Sequence, residues 1–125
     1  MTLDTRLRVF PVYRWPGRLR GLLGRKPLRR GLGLWLVPCQ AVHTFGMYYS
    51  LDIIFLDHTG QARKIIPRLR PGRVAFCLAA MSVVEFEAGV VDIENGGVDR
   101  VEAAVKNAAS GNIDRYLQDI NQRWR

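Results

Sequence analysis

Histidine and cysteine are scarce in this chain, two of each among 125 residues. Two cysteines do not make the disulfide framework of a small secreted domain. Nor do Cys39, Cys77, His43 and His58 fall at the spacing of a structural zinc site. Long apolar runs are also missing. No stretch approaches the ~20 residues of a membrane span. Arg6, Arg8 and Arg14 interrupt every window in which the apolar core of a secretory signal would lie. Acids are rare in the first part: residues 1–73 hold three, against fourteen Lys and Arg. There is no internal repeat, no low-complexity tract and no aromatic-rich nucleic-acid motif.

What is present reads as one domain spanning residues 1–125. At 48% hydrophobic content, such a chain buries about two-thirds of its unfolded surface. A cytoplasmic setting is expected, with Cys39 and Cys77 as thiols and a disulfide as the alternative. The charge is lopsided, +11 over residues 1–73 and −3 over the rest, for a net +8. A basic half attracts nucleic acid, anionic lipid or an acidic partner, or it simply keeps the surface solvated.

Alternation predicts most of the strands. Residues 6–15 form the first, and Pro11 confines it to an edge because proline cannot donate to a ladder. Leu19, Leu22 and Leu23 lie on one face of a short helix that ends near Gly24. Residues 32–37 are apolar on both faces, an interior strand ended by Pro38. Residues 51–56 form a second interior strand, polar only at Asp52. Asp57 to Gly60 makes a hairpin turn, and the return strand, 61–66, stops at Pro67. A basic loop over 68–73 and the short apolar stretch 74–80 follow. In the strand 82–88, Val84, Phe86 and Ala88 face inward while Glu85 and Glu87 face water. Asp99 and Glu102 then resemble a capping box for a helix bearing Val101, Ala104, Val105 and Ala108. Ile113, Leu117, Ile120 and Trp124 give a last helix, so 98–125 reads as a C-terminal helical segment. The expected class is α+β, a compact, mainly antiparallel, β-barrel-like sheet with short helices.

The loop from Cys39 to Ser50 carries most of the chemistry. Cys39, His43 and Met47 recur every four residues, soft donors that suit copper(I). Pro38 and Gly46 break any regular face and no fourth ligand follows, so neither a metal nor a cofactor is expected. Cys39 and His43, with Asp52 as orienting carboxylate, are alternatively a nucleophile and its base. Phe45, Tyr48 and Tyr49 supply aromatic surface for a ligand. A third role is structural. Asp52 cannot be buried unpaired, and it is expected to lock the loop by accepting from amides at Thr44, Phe45 and Gly46, or from His43 or Arg20.

Four segments, taken in order, resemble one family. They are Leu19-Arg20-Gly21-Leu22-Leu23, Gly33-Leu34-Trp35-Leu36, His43-Thr44-Phe45-Gly46-Met47 with Leu51-Asp52-Ile53-Ile54-Phe55-Leu56-Asp57, and Val83-Val84-Glu85-Phe86-Glu87-Ala88-Gly89. Together they are similar to the bacterial and archaeal domain-of-unknown-function 192 family over roughly residues 15–95. The resemblance implies a small α+β domain and brings no accepted activity, substrate or cofactor. It hints at pilus or secretion machinery as a partner. Tyr48 and Ser50 stand where the family often has a basic residue and a proline.

The residues thus point to a non-catalytic module that binds a protein partner or small ligand near 39–52, with Cys39, His43, Phe45, Met47, Tyr48 and Asp52 as the candidates. The alternatives are a Cys/His-dependent enzyme and a protein associated with RNA or anionic lipid through its basic loops.

Overall fold

The computed structural model describes residues 7–13 and 31–110. The short helix near Leu19, Arg20 and the last helix lie outside the described residues. Among the described residues seven strands form two sheets. The larger contains β1 (Arg8–Tyr13), β2 (Leu32–Val37), β4 (Leu51–Leu56), β5 (Ala62–Leu69) and β7 (Ser82–Glu87), in the order β1-β2-β7-β4-β5. The smaller pairs β3 (Ala41–His43) with β6 (Val74–Phe76). Only β1 and β2 run parallel; the other pairs are antiparallel. A 3-10 turn (Ile93–Asn95) leads into α1 (Gly97–Ser110). The molecule is therefore α+β. Its main sheet has β1 and β5 as edges among the described residues and does not close into a barrel.

Alternation along the strands divides the apolar side chains between two faces. On one face Val9, Trp35, Ile54, Leu56, Val84 and Phe86 meet Val101, Ala104, Val105 and Ala108 of α1. On the other Leu34, Leu36, Leu51, Ile53, Phe55 and Val83 meet Val42, Met47, Ala75 and Ala80, from the small sheet and its loops. Both faces of the sheet are covered, so its central strands carry apolar residues on both sides, with Asp52, Ser82 and Glu85 as buried polar exceptions. Gly33 is where this packing is tightest. A Cβ there would stand 2.6 Å from the Phe86 ring.

Three expectations change. Pro67 does not end its strand, because β5 continues to Leu69. Proline is tolerated there since β5 is an edge and the ladder bulges at that point. Leu51 pairs with Leu69 but Ile53 with Ile66, so Asp52 stands opposite both Pro67 and Arg68. Arg68 takes a positive φ of 52°. Secondly, Glu85 is not in water. It is 5% exposed, on the side of β7 that it shares with Val83 of the second core face and near Tyr49. Thirdly, α1 starts at Gly97, two residues before Asp99. A Cβ on Gly97 would stand 1.7 Å from the Val91 carbonyl oxygen, so the helix begins where the backbone needs a glycine. Glu102, the expected capping partner, instead accepts the Ala62 amide at 2.8 Å and ties α1 to β5.

Candidate functional site

The segment 39–50 is not all loop. Ala41, Val42 and His43 pair with Phe76, Ala75 and Val74. Val42 and Ala75 point into the core, while Ala41, Val74 and Phe76 point outward.

Thr44 then anchors the turn between β5 and β6. Its fully buried hydroxyl donates to the Arg70 carbonyl at 2.6 Å and accepts the Arg73 amide at 2.8 Å. Its own amide donates to the Arg73 carbonyl at 2.8 Å, and its carbonyl accepts the Gly72 amide at 2.9 Å. After it, Gly46 turns the chain with φ 82°, which a side chain would strain. The Phe45 amide donates to His43 Nδ1 at 3.3 Å, and the two rings lie 4.9 Å apart.

Asp52 is 2% exposed. Its Oδ1 accepts the Arg68 amide and its Oδ2 the Gly89 amide, each at 3.0 Å. This differs from the lock expected on Thr44, Phe45 and Gly46. The bulge in β5 turns the Arg68 amide toward Asp52, while the amides of Thr44, Phe45 and Met47 have partners within their own corner. Asp52 is thus a clamp joining β5 to the turn after β7. Both of its oxygens accept backbone amides.

The remaining candidates separate by depth. Cys39 is buried, its thiol donating to the Ala41 carbonyl at 3.1 Å, and Met47 fills the core beneath the small sheet. Both cysteines are free thiols. His43 is half-buried, and Phe45 and Tyr48 are exposed. Among the described residues no three His, Cys, Asp or Glu side chains gather as metal ligands.

The feature missed in the sequence is the outer face of β6 and the loop after it. Val74 is 61%, Phe76 57% and Leu78 78% exposed, and in the segment after β3 Phe45 is 53% and Tyr48 83% exposed. Lys64 crosses from β5 onto this face. Its Nζ donates to the Phe76 carbonyl at 2.9 Å and lies 5.3 Å from the ring centroid. The run Val74 to Ala80 held the signal: apolar residues on a strand of three cannot all face inward.

On the opposite side of the 39–50 segment lies Tyr49, half-buried against the second core face. Its hydroxyl pKa is raised, chiefly by burial and then by the negative charges of Glu87 and Glu85.

A model of the family described as DUF192, Uncharacterized ACR, matches residues 6–102. The chain belongs to that family. Among solved structures, a protein of unknown function from Novosphingobium aromaticivorans DSM 12444 superposes with a TM-score of 0.58 at 18% identity, covering 68% of this chain and 66% of that one. A protein from Sinorhizobium meliloti 1021, called a "putative transcription regulator", gives a TM-score of 0.60 at 21% identity over 70% of this chain and 74% of that one. At these identities the two share the fold of this DUF192 protein. No curated protein matches it. Among its described residues no helix is long and apolar enough to cross a membrane.

Proposed function

We propose that this DUF192 protein is a non-catalytic cytoplasmic module that binds a partner protein through the corner formed by residues 39–52 and β6. One observation carries the reading: large apolar side chains stand in water on that corner. Scattered exposed apolar residues need no explanation, but a cluster on one small sheet does. Phe45, in the turn after β3, has its ring 4.9 Å from that of His43, which pairs with Val74, and Phe76 lies on the same strand as Val74. The polar candidates serve the scaffold beneath. Asp52 clamps strands, Thr44 holds a turn, and Cys39 and Met47 pack. Two free thiols suit a reducing compartment.

Two measurements test this. In thiol labelling of the native protein at neutral pH, half-buried Cys77 reacts ahead of buried Cys39. Faster reaction at Cys39 would mark an activated nucleophile and favour an enzyme. In a display selection of random peptides, binders of the wild-type protein fail on a Phe45→Ser/Tyr48→Ser variant. Binders indifferent to that variant would place recognition elsewhere.

A further inference from the structure

The surface around β6 has a chemical polarity that goes beyond being apolar. From His58 to Val84 the chain has five cationic residues, Arg63, Lys64, Arg68, Arg70 and Arg73, and no acid. All five are exposed. They do not all face the same way. Arg63 lies 3.9 Å from Asp57, at the far end of β5. The Arg68 guanidinium lies toward Gly89, 3.9 Å from where a Cβ on that residue would stand. Lys64 is on the Phe76 ring, and Arg70 and Arg73 flank the turn that Thr44 holds beside Phe45. Among the described residues none of these last three makes an ion pair.

We infer that the β3–β6 face, with Phe45, Val74 and Phe76 at its centre, Lys64 on the Phe76 ring and Arg70 and Arg73 on the adjoining turn, docks a protein segment whose large apolar side chains are flanked by carboxylates. The inference rests on the reading above and adds the chemistry of the partner. Apolar side chains of the segment cover the exposed rings, and its carboxylates meet cations that have no acid of their own among the described residues. Such complementarity fixes register and excludes basic partners more than it adds affinity. Nucleic acid fits less well. Single-strand binders place aromatic platforms along a continuous cationic groove, whereas here aliphatic Val74 shares the centre with the rings. Anionic lipid also fits less well. A polybasic surface gains about 1 kcal/mol per cation near the bilayer, and one of the three cations placed here among the described residues already donates to the Phe76 carbonyl.

The test starts from peptides selected from a random display library on the wild-type protein, read for composition and then bound in solution. The expected set is net acidic, with apolar residues between its Asp and Glu. A representative loses about tenfold or more in affinity on an Arg70→Glu/Arg73→Glu variant, and again on Phe76→Ser. The arginine swap leaves the Thr44 anchor intact, because Thr44 bonds only the backbone of Arg70 and Arg73. Neutral or basic winners would overturn the inference while leaving the reading of a peptide-binding corner in place. So would unchanged binding on the arginine variant. If no peptide depends on Phe45, Tyr48 or Phe76, the reading itself falls. Single-stranded RNA, or phosphatidylcholine vesicles containing phosphatidylserine, binding more tightly than any selected peptide and losing that binding on the arginine variant, would assign the surface to that ligand instead.

Discussion

Replacing Asp52 with Ala removes both acceptors of the strand clamp and leaves two amide donors, those of Arg68 and Gly89, facing an empty site. An orphaned buried donor costs about 1–3 kcal/mol, so the ceiling for two is about 6 kcal/mol. The expected loss is smaller. Arg68 and Gly89 are themselves exposed, so their amides regain water once the bulge and the turn loosen. We expect Asp52→Ala to lower unfolding free energy by about 2–3 kcal/mol, with faster amide exchange at Arg68 and Gly89. Asp52→Asn is the informative control. It keeps one carbonyl acceptor but presents an NH2 group to the other amide, so it costs about 1–2 kcal/mol and is not silent. Urea melts of the three proteins, compared at common slope, give both differences. An Ala variant within about 0.5 kcal/mol of wild type would refute the clamp. An Asn variant that matches wild type would show that the second bond contributes nothing.

Gly33→Ala sets a methyl group against the buried Phe86 ring. It is expected to cost about 1–3 kcal/mol by overpacking, and a Gly33→Ala/Phe86→Leu double mutant that recovers none of it would argue against that cause. Thr44→Val keeps the shape but strips the Arg70 carbonyl and the Arg73 amide of their hydroxyl partner. A loss of about 1–3 kcal/mol is expected, read in a thermal melt, with Ser restoring most of it. Tyr49 ionises above the usual tyrosine value of 10.0, through burial, then Glu87, then Glu85. A raised folded-state pKa on an acid leaves stability unchanged below 10.0 and erodes it as pH climbs from there toward the folded value, because the unfolded chain ionises first. Ultraviolet titration of wild type against Tyr49→Phe isolates this late-ionising phenol, and Glu87→Gln should bring it earlier; a phenol indifferent to Glu87 would remove that cause.

Much of the scaffold is legible in residue pattern. Apolar faces on both sides of 32–37 and 51–56 mark interior strands, and Pro11 marks an edge. Pattern does not say what covers a face. Glu85 alternates as a wet residue should, yet it is buried on the face it shares with Val83. No local signal joins Ala41–His43 to Val74–Phe76, since strands so short carry almost no period. Asp52 was legible as a buried carboxylate in need of donors. Its donors were not, because the Arg68 amide reaches it only through a bulge at a positive φ, and Gly89 lies 37 positions away. The Cys39, His43 and Met47 spacing suggested a shared face, but Pro38 and the short strand put Cys39 and Met47 inside.

The grip of Thr44 on Gly72, Arg70 and Arg73 bears on how fast and how cheaply the corner can recognise anything. Turns on protein surfaces usually lose freedom when they are captured, a cost that is set against affinity. Here the hydroxyl, amide and carbonyl of one residue have already fixed the arginine turn to the segment after β3, two pieces of chain 26 positions apart in sequence. The backbone contribution to that cost is met during folding, so a visitor needs to order little more than its own chain and the arginine side chains.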